Sequence, residues 1–350
     1  MKTILYKIFL VVFMLPAVAL AGTGTGKYTK EKKITKSYTV NSNAGTTISN
    51  RYGSIYITTW DENRTEIDVL IKVSGNDEDD VSKRIEGIDV AFTASKASVT
   101  AKTEIANFRG RNTNMEINYT IKIPKNGTVG VANQYGAIRL GKIYGDINLS
   151  CQYGEVFIDE LNGDNNNLKM QYCSSGRLNY IKNANITAQY SDFNVARIGT
   201  LQLDSQYSDV TISNSNNINY KCQYGDLTIR SADKLTGAGS YSDLSFGNID
   251  QLLNITTSYG DLSISKLGKQ VKNVTIVNAY ADVKVNFDAD IAFDFEFIGS
   301  YSDVSGLSNL KVVEKSEKSS TSTYKGYYRT SGVGRMYIKS QYGDVSISKN

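Results

Sequence analysis

"CQYGDLTI", Cys222–Ile229, repeats a phrase met twice before: "SQYSDVTI" at Ser205–Ile212 and "AQYSDFNV" at Ala188–Val195, each 17 residues from the next. Aligned on the tyrosine, the copies fall at Tyr135, Tyr144, Tyr153, Tyr172, Tyr190, Tyr207, Tyr224, Tyr241, Tyr259, Tyr280, Tyr301 and Tyr342, with an earlier outlier at Tyr52. From Tyr153 to Tyr259 the gaps are 19, 18, 17, 17, 17 and 18, after which they widen to 21, 21 and 41. A period of this size predicts a solenoid, in which each repeat buries its apolar face only by stacking on its neighbours. The predicted fold class is therefore all-β, a parallel β-solenoid or β-helix with coils of about 17–18 residues.

Parity assigns the faces. Six and four residues before the tyrosine stand apolar pairs such as Leu201 and Leu203, Leu253 and Ile255, or Met336 and Ile338. They share the tyrosine's parity in an extended strand, so the rings of Tyr190, Tyr207, Tyr224, Tyr241 and Tyr259 are expected to line the core as a ladder. After the tyrosine the apolar residues shift to the third and fifth places, as in Leu227 and Ile229, so a corner must intervene. The residue directly after the tyrosine is Gly, Ser, Ala or once Cys173. Because Ser and Ala occur there freely, tight packing accounts for the small side chain better than a required positive φ.

The corner aspartates Asp192, Asp209, Asp226, Asp243, Asp261, Asp282 and Asp303 should then form an exposed row with a spacing of about 4.8 Å. Unit charges that close repel by about 0.9 kcal/mol even in water, so the row needs compensation. Backbone N–H groups at the corner can supply it through an Asx-type turn. A bridging calcium ion is the alternative, but Ser54 and Ala137 replace the aspartate in early copies and the glycine-rich calcium repeat is absent. No metal or other cofactor is therefore expected. Gln189, Gln206 and Gln223, just before the tyrosines, should point outward as an amide ladder beside the acids.

The rest of the 350-residue chain bounds the function. Histidine is absent, which removes the usual general base and commonest metal ligand. The opening "MKTILYKIFLVVFMLPAVALA" has two lysines, an apolar run and a small-residue site at Ala19-Leu20-Ala21, the pattern of a signal peptide over residues 1–21. Without the leader's lysines, 37 basic residues face 35 acidic ones, which gives no electrostatic case for nucleic acid. No later segment has the roughly 20 apolar residues of a membrane span. Cys151 and Cys222 lie four coils apart and Cys173 falls on the other side of its tyrosine, so three free, largely buried thiols are expected. "NDEDD" at Asn76–Asp80 precedes "VSKRIEGI" and reads as the acidic start of a short helix.

Residues 28–130 are expected to form a β-rich cap with that helix and the first coils. Residues 131–350 should hold the repeat solenoid, with a loop excursion near 311–331. "TISNRYGSIYITTWDENRTEIDVLIKVSG", "MEINYTIKIPKNGTVGVANQYGAIRL" and the recurring Tyr-Gly-Asp corners resemble the bacterial putative-adhesin β-solenoid family, related to autotransporter-adhesin head domains. The resemblance spans about Ile34 to Ile347 and implies an envelope or surface protein with no catalytic residues to carry over. The expected function is a non-enzymatic, adhesin-like protein, exported to the periplasm, outer membrane or cell surface. Its corner ladder would present a rigid polar face to a glycan or an envelope protein. A structural periplasmic scaffold is one alternative. A β-helical polysaccharide-cleaving enzyme is another, but its site should interrupt the repeat with a non-repeating cluster of Arg, Lys, Tyr and acids, and only repeat-borne acids are present.

Overall fold

A computed structural model describes residues 26–110 and 113–350; the predicted signal peptide lies outside them. The strand preceding each tyrosine and the strand following it belong to two separate parallel ladders, one on each side of a thin apolar core. In the middle coils each inter-corner segment, such as Val210–Gln223, is one long strand that bends from one ladder into the other. Side chains alternate inward and outward along it, and the inward set is fully buried: Ile218, Tyr220 and Cys222 before the Tyr224 corner, Leu227 and Ile229 after it. The parallel β-solenoid expected from the period is the observed architecture. Burying four or five such side chains at roughly 1.5–3 kcal/mol each is what offsets the ordering of each coil.

Both ends of the stack are closed by antiparallel strands. At the N-terminal end, β1 (Tyr28–Thr39) pairs with β4 (Arg64–Gly75), which pairs with β7 (Thr113–Pro124). Strand β7 then runs parallel to β3 (Ile55–Trp60) and starts one ladder. The other ladder starts from the hairpin of β5 (Ile88–Ala94) and β6 (Ser98–Ile105), with β6 parallel to β2 (Gly45–Arg51). Helix α1 (Glu78–Glu86) lies between them, burying Val81 and Ile85. Its predicted acidic start is confirmed in detail, because the Asp77 side chain caps the helix by accepting from the Asp80 amide at 2.9 Å.

Two expectations are corrected at the C-terminal end. The segment read as a loop excursion is a β-hairpin, Lys311–Lys318 with Thr321–Tyr328, whose second strand pairs antiparallel with Phe293–Ser300 and covers that ladder's edge. Strand pairing satisfies the backbone at an edge that a loop would leave open. The coils also do not stack in chain order. The final coil, Arg335–Gln341 and Val345–Lys349, sits between the Tyr280 coil and the Tyr301 coil and pairs in parallel with both. The 41-residue gap between Tyr301 and Tyr342 is thus a hairpin cap followed by a return into the stack.

Candidate functional site

The tyrosines do not line the core. Twelve of them, Tyr52, Tyr135, Tyr153 and onward to Tyr342, have φ between 50° and 61°, in the left-handed region. Tyr224 is 47% exposed, and its neighbours in the row are similar. The expected core ladder of Tyr190, Tyr207, Tyr224, Tyr241 and Tyr259 is therefore an external ladder. The physical reason is that parity counting holds only while every residue is extended. One αL residue rotates the chain so that the positions two before and one after it both face inward. Ala188 and Ser191, or Ser205 and Ser208, flank their tyrosines in this way and are all buried. This explains why both positions are small. The packing account of the residue after the tyrosine holds, while the positive φ falls on the tyrosine itself.

The rings stack along the solenoid axis. Eleven successive pairs have centroids 4.7–5.2 Å apart and planes within 13° of parallel. The order ends Tyr259, Tyr280, Tyr342, Tyr301, following the inserted coil. Tyr144, aligned with the repeat by its sequence, is not a rung: it lacks the positive φ and lies at the opposite corner, with Lys125 over its ring. Since each interior ring covers its neighbours' faces, the strip offers solvent the ring edges and a row of phenol hydroxyls. Each stack contributes roughly 0.5–1.5 kcal/mol, comparable to the roughly 1–2 kcal/mol that an αL conformation costs a residue with a Cβ.

Beside the rings run the aspartates, exposed as expected. Their compensation is axial rather than a local Asx turn. The carboxylate of Asp192 accepts from the backbone N–H of Asp209 at 2.8 Å, Asp209 from Asp226 at 2.9 Å, and Asp226 from Asp243 at 3.2 Å. Asp243 accepts from Asp261 and Asp261 from Asp282, both at 2.9 Å. Asp282 then accepts from Asp344 at 2.8 Å and Asp344 from Asp303 at 2.9 Å. Each negative charge is thus met by an amide of the next coil, which ties adjacent coils together at the corner. On the other flank, side-chain amides join Gln134 to Gln152 at 3.0 Å and Gln171 to Gln189 at 3.1 Å, with Gln206 and Gln223 next in the same row. Under the rings, the buried N–H of Cys173 donates to the Ser191 hydroxyl and that of Ser191 to Ser208, so the small residues also satisfy the corner's backbone.

Little else gathers chemistry. Among the described residues no three or more Cys, Asp and Glu side chains cluster as metal ligands would. A cavity of about 570 Å³ along the opposite corner is lined by stacked amides and hydroxyls such as Asn165, Asn183, Thr200 and Asn217, and its Asp164 is paired with Lys182 at 2.7 Å. The three cysteines are free and buried. Cys173 faces the same interior corner as Cys151, with its Sγ 3.5 Å from the Cys151 carbonyl oxygen. The Cys173 thiol and then burial push the Cys151 thiol up from its ordinary value.

A strip built of such corners, recurring through two parallel ladders and capped at each end, can be set against known families. The Toastrack DUF4097 model matches residues 46–348. The chain belongs to the Toastrack DUF4097 family. In this Toastrack chain the matched span includes every rung of the tyrosine row. Among solved structures it is similar to a putative adhesin from Parabacteroides merdae, at 10% identity with a TM-score of 0.32, over 90% of this chain and 96% of that one. A putative adhesin from Parabacteroides distasonis gives 8% identity and 0.31, over 91% and 97%. A putative cell adhesion protein from Clostridium sporogenes gives 10% and 0.19, over 92% and 100%. None of the curated proteins matches. No helix among the described residues is long and apolar enough to cross a membrane.

The tyrosine row is the exposed feature that sequence reasoning missed as a surface. The signal was present in the small residues two before and one after each tyrosine. An odd spacing of three between two inward positions requires a parity break between them, and the two residues that lie between, the glutamine and the tyrosine, must then both turn outward.

Proposed function

We propose that this Toastrack protein is an exported, non-enzymatic envelope or surface protein whose tyrosine–aspartate–glutamine strip engages an extended partner, a glycan or an envelope protein. The observation that carries the reading is the exposed stack of twelve rings. A core ladder would need no explanation beyond packing. Twelve half-exposed aromatic residues held in an unfavourable backbone region form a continuous patch of the kind that marks interaction surfaces. Tyrosine suits the task because it offers large amphipathic contact area with few rotatable bonds, and here the rings are ordered before any partner arrives. The aspartates and glutamines add acceptors and donors at the coil spacing. The leader-like N-terminus supports export.

The test compares wild type with two variants that change the middle of the strip: Tyr207→Ser/Tyr224→Ser/Tyr241→Ser and Asp226→Asn/Asp243→Asn. Each is applied to glycan arrays and to fractionated envelope proteins, with circular dichroism to show that folding survives. Partner signal should weaken in both folded variants. Full retention in both would leave the strip a purely structural device. Screening the purified chain on polysaccharides for released reducing or unsaturated ends addresses the enzymatic alternative, and turnover there would overturn the non-enzymatic reading.

A further inference from the structure

We infer that the last rung of the ladder, Tyr301, is a binding site for a single pyranose residue. A sugar stacks on an aromatic face, and along the strip those faces are covered by neighbouring rings. Only the two terminal rings have an outer face with no ring upon it. At the N-terminal end Tyr52 is 37% exposed, with the cap strand β7 donating from the Ile117 amide to its carbonyl. At the other end Tyr301 stacks on Tyr342 at 5.0 Å and is 64% exposed, the most open of the row.

Hydrogen-bonding capacity is left over at the same place. The carboxylate chain has a direction, each aspartate accepting from the next coil's amide, and Asp303 stands at its end. Its N–H is spent on Asp344, and among the described residues no donor reaches its own carboxylate. Two free oxygens on one carboxylate can accept from two adjacent sugar hydroxyls. The turn of the C-terminal hairpin folds over the site, its Ser320 carbonyl accepting from the Tyr301 amide at 2.8 Å. Together they line an open depression of about 390 Å³, to which Ser319, Ser320 and Thr321 add hydroxyls. The volume falls at the small end of ligand pockets, about 300–1,000 Å³. Glu317, also on the lining, is already engaged by the Tyr324 hydroxyl and Lys315, and Lys318 completes the lining. An aromatic face, one uncommitted carboxylate and several hydroxyls suit a neutral sugar.

This deepens, and rests on, the reading of the strip as a recognition surface, and the test separates the two. Saturation-transfer NMR on the full mature chain would use methyl β-D-glucopyranoside, methyl β-D-galactopyranoside and methyl α-D-mannopyranoside at millimolar concentration. Transfer to the ring protons of at least one glycoside is expected. It should vanish in Tyr301→Ala, persist in Tyr301→Phe, and weaken about tenfold in Asp303→Asn, as loss of a charge-assisted hydrogen bond implies. Thr228→Ala, on a strand outside the ring row, should leave it unchanged. No transfer to any of the three, or wild-type transfer in both Tyr301→Ala and Asp303→Asn, overturns the inference. So does an equal loss in Thr228→Ala, which would place the contact away from Tyr301. Should Tyr301→Ala fail to fold, Asp303→Asn alone decides. Loss of partner capture only in mid-strip variants would sustain the strip reading while this one falls.

Discussion

Replacing Tyr224 by alanine and by glycine should give an order of stability opposite to that of an ordinary strand. Tyr224 stacks on Tyr207 at 4.8 Å and on Tyr241 at 5.0 Å, so either substitution removes two stacks, about 1–3 kcal/mol together. Alanine keeps the full αL penalty at φ near 53°, about 1–2 kcal/mol, whereas glycine is free of it. Glycine's greater loss of chain entropy, about 0.5–1 kcal/mol, takes back part of that advantage. The glycine variant should therefore be the more stable by about 0.5–1 kcal/mol, although both are weaker than wild type. Thr228, four residues on in an extended strand, supplies the control: there alanine should exceed glycine by about the same amount. Urea midpoints followed by circular dichroism, at unchanged m-value, measure both pairs. Exchange rates of the Asp226 and Asp243 amides, which the aspartate chain protects, localise the effect to the corner. An alanine variant as stable as glycine at Tyr224 would refute the left-handed corner and with it the outward placement of the rings.

Further outcomes follow from the same geometry. Tyr220→Phe should stabilise the chain by about 1 kcal/mol in denaturant unfolding, because the Tyr220 hydroxyl is buried with no partner among the described residues and its desolvation is uncompensated. Gly237→Ala should destabilise by about 1–3 kcal/mol, since its Cβ would lie 2.3 Å from the Tyr220 ring in the adjoining coil. Deleting the final coil from residue 334 should speed exchange of the Asp294 amide, which donates to the Gly334 carbonyl at 2.8 Å, because that coil is the rung between Tyr280 and Tyr301. On acidification, stability should fall below about pH 4. Asp146 is held below its ordinary value by the Asn165 side chain and amide, and Asp294 by Ser331 and the Gly332 amide. Groups with a depressed folded pKa give stability that is present above the unfolded value and is lost as pH drops through the folded one. Asp146→Asn and Asp294→Asn should flatten that acid limb in a pH series of melting temperatures.

The sequence by itself determined the period, the apolar positions that face inward and the acidic start of the short helix near Asn76–Asp80. Each of these depends on residue type and spacing along a short stretch of chain. It also marked the aspartates as an exposed row, since a charge at a corner has no alternative place to go. Only the tertiary structure decided which way the tyrosines point. That direction turns on a single dihedral angle, and the αL state is stabilised by ring stacking between coils, a contact made across 17 or more residues. The same holds for the partner of each carboxylate, an amide in the next coil rather than a neighbour in the chain. Tyr144 obeys the local pattern yet is no rung, and the final coil enters the stack ahead of a segment that precedes it in sequence. Each coil of a parallel solenoid offers its neighbours much the same apolar face and strand edges, so the local sequence does not specify which coils lie side by side.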